Sequence, residues 1–287
     1  MTNKRAKACT TQSPTFHTDL TKVSMKTYTA QQLLQPSNKA LVEEIILLIT
    51  HSFTEDPGTK WLFNAHTRTQ YLAAIPAYFR FLVNAALLSD AFVTLITDPT
   101  STPATESTPE IRALSITIPP HGNASFESPL TTFRAGLFPM TWHCGLGVLR
   151  RLIFDFVPAM HAMHARMFPR GHERDHWHLL FLAAHPESQG RGLGGRLLAE
   201  VQRVVTGAGA GALYLEASSA QSKRLYRRVG FVERDTMAYG SVEQADGRDL
   251  EVDGEGRVVG GRLFGMIWTP DGGRDADGYT DASGGSE

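Results

Sequence analysis

The chain has 287 residues, 42% of them apolar and 20% charged, enough apolar material for one large globular domain or two small ones. A formal net charge of −1 gives no electrostatic case for nucleic acid or a membrane as the principal partner. Two cysteines, Cys9 and Cys144, are too few for a disulfide framework and lack metal-ligand spacing, which predicts a reducing, cytoplasmic setting.

The N-terminus "MTNKRAKACTTQSPT" is basic and polar, with no apolar signal core behind it, and residues 1–22 are expected to be disordered. Leu41, Ile45, Ile49 and Phe53 recur every four residues, as do Tyr71, Ile75 and Phe79, predicting two amphipathic helices. The longest apolar run, "IILLI" at 45–49, is far short of the roughly 20 residues needed to span a bilayer. "AFVTLIT" (91–97) and "IRALSITI" (111–118) predict a hairpin whose Thr/Pro-rich tip, 98–110, is a mobile loop. From 129 to 167 the pattern is helical, with Leu149, Leu152, Ile153, Phe156, Met160 and Met163 on one side. Pro158 is expected to break or kink it.

"HWHLLFLAA" (176–184) then predicts a buried strand, followed by a glycine loop and a helix carrying Leu197, Leu198, Val201 and Val204. "ALYLEAS" (212–218) predicts a second buried strand, and "SKRLYRRV" a short helix closed by Gly230. "FVERDTMAYG" and "GRLFGMIWT" predict strands around a polar Gly/Asp-rich hairpin insertion. Residues 269–287 are expected to form a flexible acidic tail. No internal repeat is present. The expectation is one mixed α/β domain over 23–268, its sheet drawn mainly from 91–118 and 176–268.

The glycine loop, within "HPESQGRGLGGRLLAEV" (185–201), admits two phosphate-binding readings. Gly190, Gly192 and Gly195 fit the dinucleotide fingerprint G-x-G-x-x-G, and Glu216 ends the next strand about 20 residues on. Against this, "HPESQ" separates the strand from the first glycine, and too little chain follows for further βα units. A Walker-type loop is excluded, because no Lys-Ser or Lys-Thr follows the glycines.

Taken from Gln189, the stretch Q-G-R-G-L-G resembles the acyl-CoA loop of the GNAT superfamily of N-acetyltransferases, with Gln189, Gly192 and Gly194 at its fixed positions. "LEASSAQSKRLYRRVGF" (215–231) resembles the second half of that family's cofactor site through Leu225, Tyr226, Gly230 and Phe231. Within the superfamily, "LEAS" and "FTEDPGTKWLF" (53–63) look most like puromycin-type small-molecule acetyltransferases.

The resemblance implies a mixed, mostly antiparallel central sheet flanked by helices, with splayed central strands holding acetyl-CoA as acyl donor. It implies that backbone groups of Leu182, Ala183 and Ala184 meet the pantetheine arm. Gln189, Gly190, Arg191, Gly192, Leu193, Gly194 and Gly195 would hold the pyrophosphate at a helix N-terminus. Ser219 and Ser222 stand where the family often has Asn, and either contact the pantetheine or cap the helix. Arg196, Lys223 and Arg224, with Arg191, are candidates for the ribose phosphate or a solvated face.

Tyr226, by resemblance, is the general acid for the departing thiolate. The base is Glu216 or His178, with Glu216 preferred because it ends its strand nearer the sulfur. His161, His164, His172, His176, His178 and His185 lack a carboxylate or cysteine in a recognised metal arrangement, so no metal is expected. The aromatic "WLF" and the Met-rich stretch 160–167 suggest an enclosed apolar pocket and hence a small-molecule amine acceptor. A protein or peptide amine, and a non-catalytic acyl-CoA-binding module, are the alternatives. The oligomeric state leaves no mark in the sequence.

Overall fold

Eight strands carry the β-rich runs: β1 (Ser24–Thr29), β2 (Phe92–Thr97), β3 (Ile111–Ile118), β4 (Trp177–Ala184), β5 (Leu213–Ala217), β6 (Val232–Gly240), β7 (Leu250–Val252) and β8 (Val258–Trp268). The computed structural model describes residues 23–98, 110–168, 175–209, 211–243 and 248–270. The N-terminal segment 1–22, nearly all of the acidic tail, most of the Thr/Pro-rich loop and His172 lie outside them. The strands form one sheet in the order β1-β2-β3-β4-β5-β8-β6, with β7 added on β8. Among the described residues β4 and β5 pair in parallel, and the other pairings are antiparallel. The hairpin β2–β3 is as the sequence predicts. β1 is not, because "SMKTYT" is polar and largely exposed. That polarity suits the sheet edge it occupies.

The early helices are α1 (Ala30–Leu33), α2 (Lys39–Phe53), α3 (Pro57–Leu62) and α4 (Arg68–Leu87). The middle ones are α5 (Pro120–Phe126), α6 (Pro129–Arg134), α7 (Leu137–Cys144), α8 (Leu146–Arg150) and α9 (Val157–Met167), and the last are α10 (Leu193–Gly207) and α11 (Ala220–Arg228). Leu41, Ile45 and Ile49 of α2 and Tyr71, Ile75 and Phe79 of α4 are buried on one side of the sheet. There the rings of Phe53 and Phe79 pack against Phe181 of β4, with centroids 5.5 and 5.9 Å away. Leu197, Leu198, Val201 and Val205 of α10 are buried on the other side, with Val204 at their margin. Each such side chain contributes roughly 1.5–3 kcal/mol by leaving water.

The helical pattern of 129–167 needs one correction. Pro158 does not end the helical path. It enters α9 near the helix start, and the turn ahead of it, Arg151–Phe156, is a π-helix. Pro158 has no N–H to give the carbonyl four residues back, and the wider turn accommodates that loss. The extra residue per turn also rotates the face, so Leu152 is buried but Ile153 is 43% exposed.

A second local irregularity sits in β4. Ile116 pairs with Phe181 and Thr117 with Leu179, leaving Leu180 as a bulge. Trp177 and Leu179 therefore pack toward α10, whereas Leu180, Phe181 and Ala183 join the α2/α4 core.

β6, β8 and α3 meet at Gly240, whose φ of +69° is left-handed. A Cβ there would fall 2.2 Å from the Val259 carbonyl oxygen and 2.5 Å from Trp61 Nε1. Gly240→Ala is expected to cost about 2–4 kcal/mol, read as a lower urea midpoint with an unchanged slope.

Candidate acyl-transfer site

β4 and β5 pair only at Trp177–Leu213 and His178–Tyr214, then part. Each is held from outside: β4 by β3 as far as Ala184, and β5 by β8 as far as Ala217. The inner edges of both strands thus diverge beyond His178 and Tyr214. The His185 N–H donates to the Arg112 carbonyl, so Ala183, two residues back, also turns its backbone groups to β3, and Leu182 is the residue whose N–H and C=O face the gap. Ala184 is less free than the sequence suggests. Its carbonyl accepts from the Ser52 hydroxyl at 3.0 Å and from Gln189 Nε2 at 3.3 Å. Gln189 is therefore the tie that holds the glycine loop to the strand end.

Gly190 and Gly192 have φ of +76° and +78°, a backbone that other residues rarely adopt, and Gly192 is the N-cap of α10. Among the described residues, the backbone N–H groups from Gly190 to Gly195 have no hydrogen-bond acceptor. Leu193 is buried against Ile96, Ala113 and Leu197, anchoring the first turn. A Cβ on Gly194 would meet Leu225 and Leu182 at ordinary contact distances of 3.5 and 3.7 Å, and one on Gly195 would meet nothing within 4 Å. Arg191 is half-buried and Arg196 and Arg224 are exposed. Lys223 is engaged elsewhere, 3.5 Å from Glu233 and over the Phe264 ring at 3.6 Å.

At the head of α11, Ser219 and Ser222 form a reciprocal capping box. Ser219 Oγ accepts from the Ser222 N–H at 3.1 Å, and Ser222 Oγ from the Ser219 N–H at 3.1 Å. Of the two roles open to these serines, helix capping is the one their contacts fill. Tyr226, on the same helix, is buried with Leu213, Leu215, Ala217 and Phe231 on the α10/α11 side of the sheet. Burial, and then the Glu216 carboxylate, push its hydroxyl above the usual phenol range.

Glu216 lies on the opposite face, with Tyr214. His178 Nε2 is 2.9 Å from its Oε2, a hydrogen bond. His164 Nε2, from α9, is 3.4 Å from Oε1, close enough for an ion pair but outside hydrogen-bond geometry. Burial pushes the Glu216 carboxyl up, yet His178 and His164 together outweigh it and hold the group well below the ordinary carboxylate range. His176 stacks on Phe168 with centroids 4.3 Å apart. Its burial, and the nearby His178 and His164, push its pKa well below the ordinary imidazole value. His164 was placed by the sequence only among metal candidates. Its approach to Glu216 depends on how α9 crosses the sheet, which no local pattern records. The structure brings together His164, His176 and His178. His161 is instead 3.9 Å from Glu127, and His185 accepts from the Glu187 N–H at 3.4 Å. Among the described residues, no group of His, Cys, Asp and Glu is arranged to hold a metal ion.

The "WLF" segment is core rather than pocket wall. Trp61, Leu62 and Phe63 are all buried, Trp61 against Tyr239 and Phe156 and Phe63 against Tyr71 and Tyr78. Just before it, Asp56 caps α3, accepting from the Thr59 N–H at 2.9 Å, and burial pushes its carboxyl up despite Ser218 and Thr59 beside it.

Residues 163–231 match the model of the Acetyltransferase (GNAT) family, a span that opens just before His164 and closes at Phe231. The fold is the GNAT fold. Arylalkylamine N-acetyltransferase 2 from Aedes aegypti superposes with a TM-score of 0.53 at 11% identity, over 86% of this chain and 98% of that one. A polyamine N-acetyltransferase from Drosophila melanogaster gives 0.43 at 17% identity, over 86% and 99%. No curated protein matches the chain significantly. No helix among the described residues is long and apolar enough to cross a membrane.

The Glu216 group makes a prediction about acid. Its folded-state pKa is depressed from 4.5, so its contribution to stability is complete above the unfolded value and is lost as pH falls below it. Glu216→Gln removes that contribution. The stability difference between wild type and variant, from urea titrations, is expected to be largest near neutrality and to shrink steadily below pH 4.5.

Proposed function

We propose that the protein transfers an acetyl group from acetyl-CoA to the amine of a small molecule, by direct attack in a complex holding both. The observation that carries this reading is the run of unbonded backbone N–H groups from Gly190 to Gly195, at the head of α10 and beside the parting strands. Convergent donors and the positive end of a helix suit a pyrophosphate. Acetyl-CoA supplies an activated thioester, and the other requirements fall to the chain. Leu182 offers its backbone groups to the pantetheine arm, with Gln189 fixing the loop relative to the strand end. Arg191, within the loop between Gly190 and Gly192, is the side chain offered to phosphate.

Tyr226 serves the leaving group. A phenol pushed above its usual range keeps its proton at neutral pH, as a general acid must. Against a thiol with a pKa of about 8.5, full proton transfer is uphill by roughly 2 kcal/mol or more, so much of its effect is a hydrogen bond to the developing thiolate. On the amine side a depressed carboxylate is a weak proton acceptor by itself. We assign proton uptake to Glu216, His178 and His164 acting as one coupled group, in which Glu216 stays ionised and orients the imidazoles. The Glu216 side chain is 13% exposed and His164 10%, an enclosure that favours a small amine over a polypeptide chain. The narrower puromycin-type likeness rests on two short segments, the second of which is occupied by the Asp56 cap and core packing.

Acetyl-CoA, and not NAD(H), is expected to raise the melting temperature. Gly195→Glu adds a carboxylate in open space without backbone strain, and is expected to abolish that shift while leaving the unliganded protein equally stable. A panel of small amines and peptides, assayed for acetyl-CoA-dependent thiol release, tests turnover. Stabilisation by acetyl-CoA with no release on any amine would leave a binding module in place of an enzyme.

Two substitutions address the chemistry. Tyr226→Phe is expected to lower turnover by about 10²–10⁴ with Michaelis constants within a few-fold. Glu216→Gln and His178→Ala are each expected to lower turnover, and the double variant to be no slower than the slower single one. Losses that multiply would separate the two residues.

A further inference from the structure

From Pro129 to Phe156 the chain forms a helical layer in which α6 and α7 lie on α4, and α8 and the π turn carry on from α7 toward β6. Its inner side belongs to the core through Ala135, Met140, Cys144 and Val148. Its outer side is apolar as well. Leu130, Phe133, Phe138, Trp142, Leu146 and Phe154 are between 65% and 78% exposed. An amphipathic surface helix turns polar residues to water, so a layer apolar on both sides marks a contact surface.

We propose that this face docks on the surface of an anionic phospholipid bilayer, its aromatic and leucine side chains entering the headgroup boundary. Charge selects this occupant. Residues 129–156 contain Arg134, Arg150 and Arg151 against the single acid Asp155, although the whole chain carries −1. Arg134 and Arg150 are exposed beside the apolar side chains, and Asp155 is exposed next to Phe154, so the outward charge of the layer remains positive. Arg151 is partly turned inward, donating to the Leu62 carbonyl at 2.8 Å. Exposed Trp, Phe and Leu bordered by arginine is the composition of helices that lie in a membrane interface. A symmetric contact with a second copy would set the same net-positive face against itself. The segments outside the described residues contain no apolar run to cover it. The chain-wide charge balance, which gives no case for a membrane, averages this local excess away. Docking is in the plane of the surface, and it does not depend on the acetyl-transfer reading.

The test uses the full chain with vesicles of phosphatidylcholine alone or mixed with phosphatidylserine. Cosedimentation with the mixed vesicles is expected, weak with phosphatidylcholine and falling as salt rises. Trp142 is 78% exposed, whereas Trp61 and Trp177 are buried and Trp268 half-buried, so a blue shift of tryptophan emission on adding mixed vesicles reports its entry. The double substitution Phe138→Ser and Trp142→Ser is expected to weaken binding by about tenfold or more with the melting temperature retained. The emission shift in the wild type decides the matter even if that variant folds poorly. Absence of both cosedimentation and emission shift overturns the proposal. So does a dimer, seen by sedimentation equilibrium, that buries Trp142 and leaves vesicles unbound.

Discussion

Everything proposed for the site depends on two strands that pair for two residues and then part. Parallel neighbours normally continue pairing, because unpaired N–H and C=O groups are costly once buried. Here β3 and β8 hold β4 and β5 from outside, so the sheet stays intact while its middle opens. The bulge at Leu180 contributes by turning Leu180 and Phe181 together into the α2/α4 core, where Phe181 meets Phe53 and Phe79. The gap is thus a consequence of how its flanks are packed.

The gap also separates two chemical environments. On the α10/α11 side lies Tyr226, neutral and packed among apolar side chains that include Phe231. On the other lies Glu216, ionised between imidazoles. A buried carboxylate without partners would cost several kcal/mol, which makes His178 and His164 a condition of its charge. The sheet sets the two groups on opposite sides of one cleft, and the Glu216 carboxylate adds to burial in raising the Tyr226 hydroxyl across it.

Much of this is legible in the sequence, for physical reasons that differ by element. The strands around 176–184 and 212–218 are continuous apolar runs, and the loop between them declares itself because left-handed turns at Gly190 and Gly192 demand glycine. The helices of 39–87 show through their four-residue period. What the sequence does not disclose is non-local. β1 is a polar edge strand whose identity comes from pairing with β2. The rotation of Ile153 into water follows from a π turn ahead of Pro158. His164 meets Glu216 because of where α9 crosses the sheet. "WLF" has the composition of a pocket wall and the packing of a core, and composition alone does not separate these.

The position of β8 has a consequence for how the molecule is assembled. β8 lies between β5 and β6, although both precede it in the chain. Until residues 258–268 arrive, β5 has an open outer edge, with an unclaimed ladder along Leu213–Ala217. A growing polypeptide therefore carries its glycine loop and the strand that bears Glu216 before it can fix the spacing between them. Insertion of a late strand between two early ones is a long-range event and slow on general grounds. The interval exposes an apolar edge to intermolecular pairing, so the segment that completes the cleft also guards the nascent chain against aggregation.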